Sequence, residues 1–214
     1  MHPFRHGLMG VIALILALPA QARPVSYAGG TMLMLTHDPD ASSLRLDYSP
    51  TARYAVGYRH EYFRDTSTHM DAITINYLAK RWNNPASQGN FYLLSGIGAA
   101  YDKHDIDPAG WLGLSADWED RRYFTSYETK AFYGGGDQGV ADNFVEHTAR
   151  VGIAPYIGDS GDVHTWLMME TRYDAGDDDP FSVTPLVRAF KGSTLIEAGY
   201  RIDDGMVLNF THTF

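Results

Sequence analysis

The stretch 206-MVLNFTHTF-214 alternates without a break. Met206, Leu208, Phe210, His212 and Phe214 fall on one side and Val207, Asn209, Thr211 and Thr213 on the other. A period of two is that of a β-strand, whose successive side chains point to opposite faces of a sheet. A chain end is ordinarily frayed and polar, and an apolar strand with an unpaired edge invites aggregation. The pattern therefore predicts a strand whose apolar face is covered by something apolar through to Phe214.

The same period recurs along the chain. Tyr54, Val56, Tyr58, His60 and Tyr62 alternate with Ala55, Gly57, Arg59 and Glu61. Ile73, Ile75 and Tyr77 oppose Thr74, Asn76 and Lys80, and Leu112, Leu114, Ala116 and Trp118 oppose Gly113, Ser115 and Asp117. Further runs begin near Thr31, Leu44, Phe91, Tyr123, Val145, Leu167, Val183 and Leu195, which with the terminal run makes twelve candidate strands. No segment of helical period competes. Aromatic residues make up 13% of the chain, with 14 Tyr and 21 Gly, a mixture suited to alternating strands.

At the other end, MHPFRHG precedes the apolar run LMGVIALILAL, followed by small residues at Ala20 and Ala22. This is the layout of a secretory signal peptide, and the run is too short to span a bilayer as a helix. Residues 1–22 are expected to be a cleaved leader and 23–214 a single folded unit. The chain has no cysteine, so stability does not come from disulfides.

The polar faces carry an uncommon content. Five of the six Glu, namely Glu61, Glu128, Glu146, Glu170 and Glu197, lie on them, accompanied by Arg59, Lys130, Arg150, Arg172 and Arg201. Residues at i and i+2 share a side of a sheet, so each strand offers its own ion pair. Taken over all strands, bases and acids nearly balance, as in a lumen packed with salt bridges. A solvated sheet face laced with ion pairs is the alternative for any one strand. Too little apolar material remains for a second buried layer.

Signal peptide, dyad-period strands, aromatic-rich outer faces and a terminal Phe together resemble the outer-membrane β-barrels of Gram-negative bacteria. In that resemblance Met206, Leu208, Phe210 and Phe214 form the C-terminal assembly signal, with His212 departing from the usual apolar residue. It implies an all-β fold: a transmembrane antiparallel up-and-down β-barrel, with 12 strands favoured over 8 or 10. It also implies outer-membrane lipid, lipopolysaccharide and the barrel-assembly machinery as partners, and a monomer. The final strand would pair with the first, and lipid would cover its apolar face.

Closing such a barrel with both termini in the periplasm assigns six connections to the extracellular side: THDPDAS, RDTSTHMD, YDKHDIDPAG, YGGGDQGVADN, YDAGDDDPF and DDG. They hold fifteen of the 20 Asp, with only Arg64 and Lys103 for counter-charge, so much of the net charge of −9 belongs to one rim. Asp favours turns in general, but that does not segregate it to one side. An acidic mouth gathers cations and offers carboxylate oxygens to Ca²⁺ or Mg²⁺. Asp102, His104, Asp105 and Asp107 mix carboxylates with an imidazole, a set for another divalent cation. Asp177, Asp178 and Asp179 form a run for a hard cation. Neither has EF-hand spacing, and a solvated acidic loop accounts for both. Met32, Met34 and His37 suggest copper, although Met in a lipid-facing strand commonly fills space.

No enzyme is expected. A nucleophile and base must lie within hydrogen-bond reach, yet parity sends His60, His147 and His212 to the lipid face. Only His164 faces the lumen with Ser115 and Ser126, and no spacing selects a pair. The acidic balance opposes nucleic-acid binding, and no cofactor is indicated beyond a surface cation. The expected function is a narrow, cation-preferring channel for ions or small solutes. The alternative is a closed barrel plugged by salt bridges, structural or ligand-binding in role; a lipid-modifying enzyme ranks below both.

Overall fold

The structure, a computed structural model, describes residues 23–135, 140, 143–159, 161–175, 177 and 179–214. The expected leader (1–22) and Asp137, Asp142 and Asp178 of the acidic loops lie outside the described residues.

Twelve strands follow in chain order: β1 (Thr31–His37), β2 (Ala41–Thr51), β3 (Tyr54–Phe63), β4 (Thr68–Asn83), β5 (Ser87–Tyr101), β6 (Ile106–Asp120), β7 (Tyr123–Tyr133), β8 (Phe144–Ile153), β9 (His164–Ala175), β10 (Phe181–Lys191), β11 (Thr194–Arg201) and β12 (Gly205–Thr213). Each is antiparallel to the next, and β12 returns to β1 to close the barrel. The count is therefore twelve rather than eight or ten.

The seam explains the terminal alternation. Leu35 stands opposite Phe210 and Leu33 opposite His212. Beyond the last strand residue, the Phe214 amide still donates to the Thr31 carbonyl at 2.8 Å, and the Tyr27 hydroxyl donates to the Phe214 carbonyl. Met206, Leu208 and Phe214 are exposed on the outer face. His212 is accommodated there because its Nδ1 meets the Thr194 hydroxyl at 2.8 Å, Thr194 being its partner in register on β11.

Outward residues such as Ile73, Ile75, Ile97, Leu112, Val151 and Ile196 form an apolar belt, while Thr74, Asn76, Glu170 and Glu197 are buried inside. A closed ladder satisfies every strand group internally, which lets the belt sit in lipid. Two assignments made from parity alone are corrected. Met32 and Met34 face inward, so a copper set with the exposed His37 is split across the wall. Lys80 is exposed: the β4–β5 register shifts between Leu78 and Lys80, and a bulge moves every later side chain to the opposite face.

The barrel is not uniformly filled. β4 has 16 residues and β5 and β6 have 15 each. Their inner faces carry Met70, Ala72, Ala100, Ala109 and Trp111, which form an apolar cluster with Phe132 of the neighbouring β7. Trp111 lies against Gly96, its partner in register; a Cβ at Gly96 would fall 2.3 Å from the indole. Most of the inward charged residues occupy the remaining wall, from β7 round through β12 to β3, while Arg81 on β4 and Asp117 and Glu119 on β6 lie toward the terminal end.

Candidate functional site

The lumen holds a cavity of about 760 Å³ whose lining runs from Arg23 and Pro24 near the terminal end to Asp65 and Asp177 at the loop end. Alternation places the charges there. Nine of the ten residues expected in the lumen line it: Arg59, Glu61, Glu128, Lys130, Glu146, Arg150, Glu170, Arg172 and Glu197. The tenth, Arg201, is buried at the loop-end rim, where it binds Asp40 at 2.6 Å and Asp204 at 3.0 Å.

Ion pairs join neighbours along a strand and across strands. Arg59 binds Glu61 at 2.6 Å, two residues on along β3, and Lys130 pairs with Glu128 on β7. Arg150 on β8 reaches Glu170 on β9 at 2.5 Å and Glu197 on β11 at 3.3 Å. Glu197 also accepts from Arg188 at 2.6 Å and Asn209 at 2.7 Å. Buried charges are tolerated only when paired and hydrogen-bonded in this way. Arg188 on β10 belongs to the same network through Glu197, and Arg45–Asp47 on β2 adds a separate inward pair. Their parity was legible, but isolated pairs on single strands did not mark them as site residues.

Two features cross the lumen at the loop end. Phe63 of β3 and Phe144 of β8 meet edge-to-face at 6.4 Å between centroids, and Phe132 stacks on Phe144 at 4.4 Å. Next to this arch, the β1–β2 turn dips over the opening. Arg172 binds Asp40 at 2.9 Å and Asp38 at 3.2 Å, and Arg64 donates to the Asp38 carbonyl at 2.5 Å. Burial pushes the Asp38 carboxyl up, but Arg172, the Ala41 amide and Arg201 outweigh it and hold it below its ordinary value.

The terminal end carries a feature that strand periodicity could not disclose. Val25, 1% exposed, packs with Ala55, Leu78, Tyr92 and Leu94. Arg23 extends beside it to Glu119 at 2.5 Å. Glu119, which follows the alternating run ending at Trp118, is buried on β6, because β6 continues to Asp120. Deeper in, Asn90 accepts from Arg81 and donates to Asp117, both at 2.7 Å.

Among the described residues, which leave out Asp178, the members of the expected metal sets do not converge. Asp102 Oδ1 accepts the amides of His104 at 2.7 Å and Asp105 at 2.8 Å. Those amides hold its carboxyl below its ordinary value, as in a turn closed by its own side chain. Asp107 is engaged elsewhere, accepting the Val140 amide at 3.0 Å. Asp177 lines the lumen mouth, while Asp179 donates its amide to Asp177 at 3.4 Å. Among the described residues no three His, Asp or Glu are grouped to hold a metal ion.

The sequence matches no described protein family and no curated protein. Among solved structures, the KdgM porin aligns over 86% of this chain and 98% of its own, at 9% identity and a TM-score of 0.50. A KdgM porin in complex with disordered oligogalacturonate gives the same values. A NanC porin aligns over 86% of this chain and 97% of its own, at 9% identity and a TM-score of 0.46. The KdgM likeness shows the fold. Together with the closed ladder and the apolar belt, it makes this chain a twelve-stranded barrel of the outer-membrane kind.

Proposed function

We propose that the protein is a small channel in the outer membrane of a Gram-negative bacterium, passing ions or small solutes with a preference for cations. One observation carries this: the cavity is lined by eleven carboxylates and seven basic side chains among the described residues. The near-balance expected from the strands shifts because Asp38, Asp40, Asp65, Asp174 and Asp177 add to the lining at the loop end. A pore that keeps one sign in excess favours the opposite charge, and an acidic mouth concentrates cations before they enter. The oligogalacturonate of the KdgM complex is an anionic chain; this lining would repel such a solute.

A closed, plugged barrel is the second reading. The Phe63–Phe144 arch and the Arg172 contacts to the β1–β2 turn favour it, since both cross the opening. Single-channel recording of the refolded protein under a KCl gradient separates the two. Steady openings with a cation-selective reversal potential are expected. Silence from protein shown to be folded would leave the plugged barrel.

A further inference from the structure

β3 and β8 present a matched pair of motifs to each other across the lumen. Glu61 and Phe63 share the inner face of β3, and Phe144 and Glu146 share the inner face of β8. The strands meet at their loop-end Phe residues. On each strand the Glu lies two residues nearer the membrane centre, about 7 Å down. Phe132 on β7 extends the arch, being in register with Phe144. An aromatic roof thus stands over two carboxylates that line one cavity.

Glu61 is the informative member. It is only 5% exposed and lines the cavity. Oε1 takes Arg59, while Oε2 has no protein partner. A buried carboxylate oxygen left in this way is costly unless something donates to it. The chain also contains an example of the matching chemistry. The Arg59 guanidinium held by Glu61 lies 5.1 Å from the centre of the Trp111 ring, a cation against an aromatic face with a carboxylate beside it.

We infer that the space beneath the Phe63–Phe144 arch binds small organic ammonium ions, the charged group donating to Glu61 Oε2 and the apolar body resting on the phenyl rings. This rests on the cation-preferring reading of the same lumen and names its solute class. Aromatic faces reward a weakly hydrated organic cation; a hard inorganic ion requires several oxygen ligands instead.

The test is equilibrium dialysis of the refolded barrel against phenylethylammonium, with phenylethanol as the uncharged control. Saturable retention of the amine alone is expected. Glu61→Gln should weaken it about tenfold, the loss of one charge-assisted hydrogen bond. Phe144→Leu, which keeps apolar bulk, should weaken it about threefold. Equal retention of the alcohol, or undiminished binding by folded Glu61→Gln, overturns the inference. The reversal potential in a KCl gradient is measured on the same preparation. A cation-selective reversal without amine retention sinks the ammonium site and leaves the channel. Retention with no cation preference supports the site and sinks the channel reading.

Discussion

Arg172 and Asp40 meet at 2.9 Å across the mouth of the barrel, although one belongs to β9 and the other to the turn after β1. Arg201 grips the same Asp40 carboxylate at 2.6 Å. Two guanidinium groups therefore clamp one acidic turn over the opening. Replacing both, as Arg172→Ala with Arg201→Ala, should release the turn and raise single-channel conductance. Unchanged conductance in the double variant would mean the turn does not restrict the pore.

The clamp has an acid limit with a defined sign. The Asp38 carboxyl lies below its ordinary value of 3.8 in the folded state. A depressed folded value contributes stability that is fully present above 3.8 and is lost as pH falls through the folded value. The contribution of Asp38 to the urea midpoint should be constant from neutral pH to about 5 and be lost only below 3.8. Asp38→Asn should remove that part of the acid transition. An identical acid limb in the variant would place the titrating groups elsewhere.

Arg150 neutralises two buried carboxylates, Glu170 and Glu197. Glu197 keeps Arg188 and Asn209 without it; Glu170 loses its ion-pair partner. Arg150→Ala should therefore destabilise the barrel by about 3 kcal/mol, whereas replacing Arg150 and Glu170 together by Met should cost far less. Equilibrium unfolding in urea of refolded protein in lipid measures both. Equal losses in the two variants would show that packing, not stranded charge, sets the cost.

Asp65 and Asp177 line the cavity at the loop end and are the carboxylates a solute would meet first from that side. Asp65→Asn with Asp177→Asn should move the reversal potential toward zero, more strongly at low salt, where screening is weak. No movement at any salt concentration would confine these residues to loop structure.

Gly96 gives Trp111 its place on the inner wall. Gly96→Ala would set a Cβ 2.3 Å from the indole, and forcing the ring aside should cost about 1–3 kcal/mol. Near-UV circular dichroism should report a displaced Trp. An unchanged spectrum and midpoint would show that the wall can relax.

A two-residue period was enough to read the barrel. It located all twelve strands, sent Glu61, Glu128, Glu146, Glu170 and Glu197 inward, and gave the terminal MVLNFTHTF a partner rather than an edge. Alternation is a local property, set by backbone geometry one residue at a time, so it is written in the order of the side chains. It failed where the backbone leaves that rhythm: at the Leu78/Lys80 bulge and at Glu119, where β6 runs farther than its apolar pattern indicates. Which residues meet across the lumen was decided only by closure. Phe63 and Phe144 are five strands apart and Arg172 and Asp40 are 132 residues apart, and no periodicity encodes such distances. The balance of charge follows the same division. Strand by strand it reads as paired, but curving the sheet brings the loop-end carboxylates over the same opening and leaves the lumen acidic.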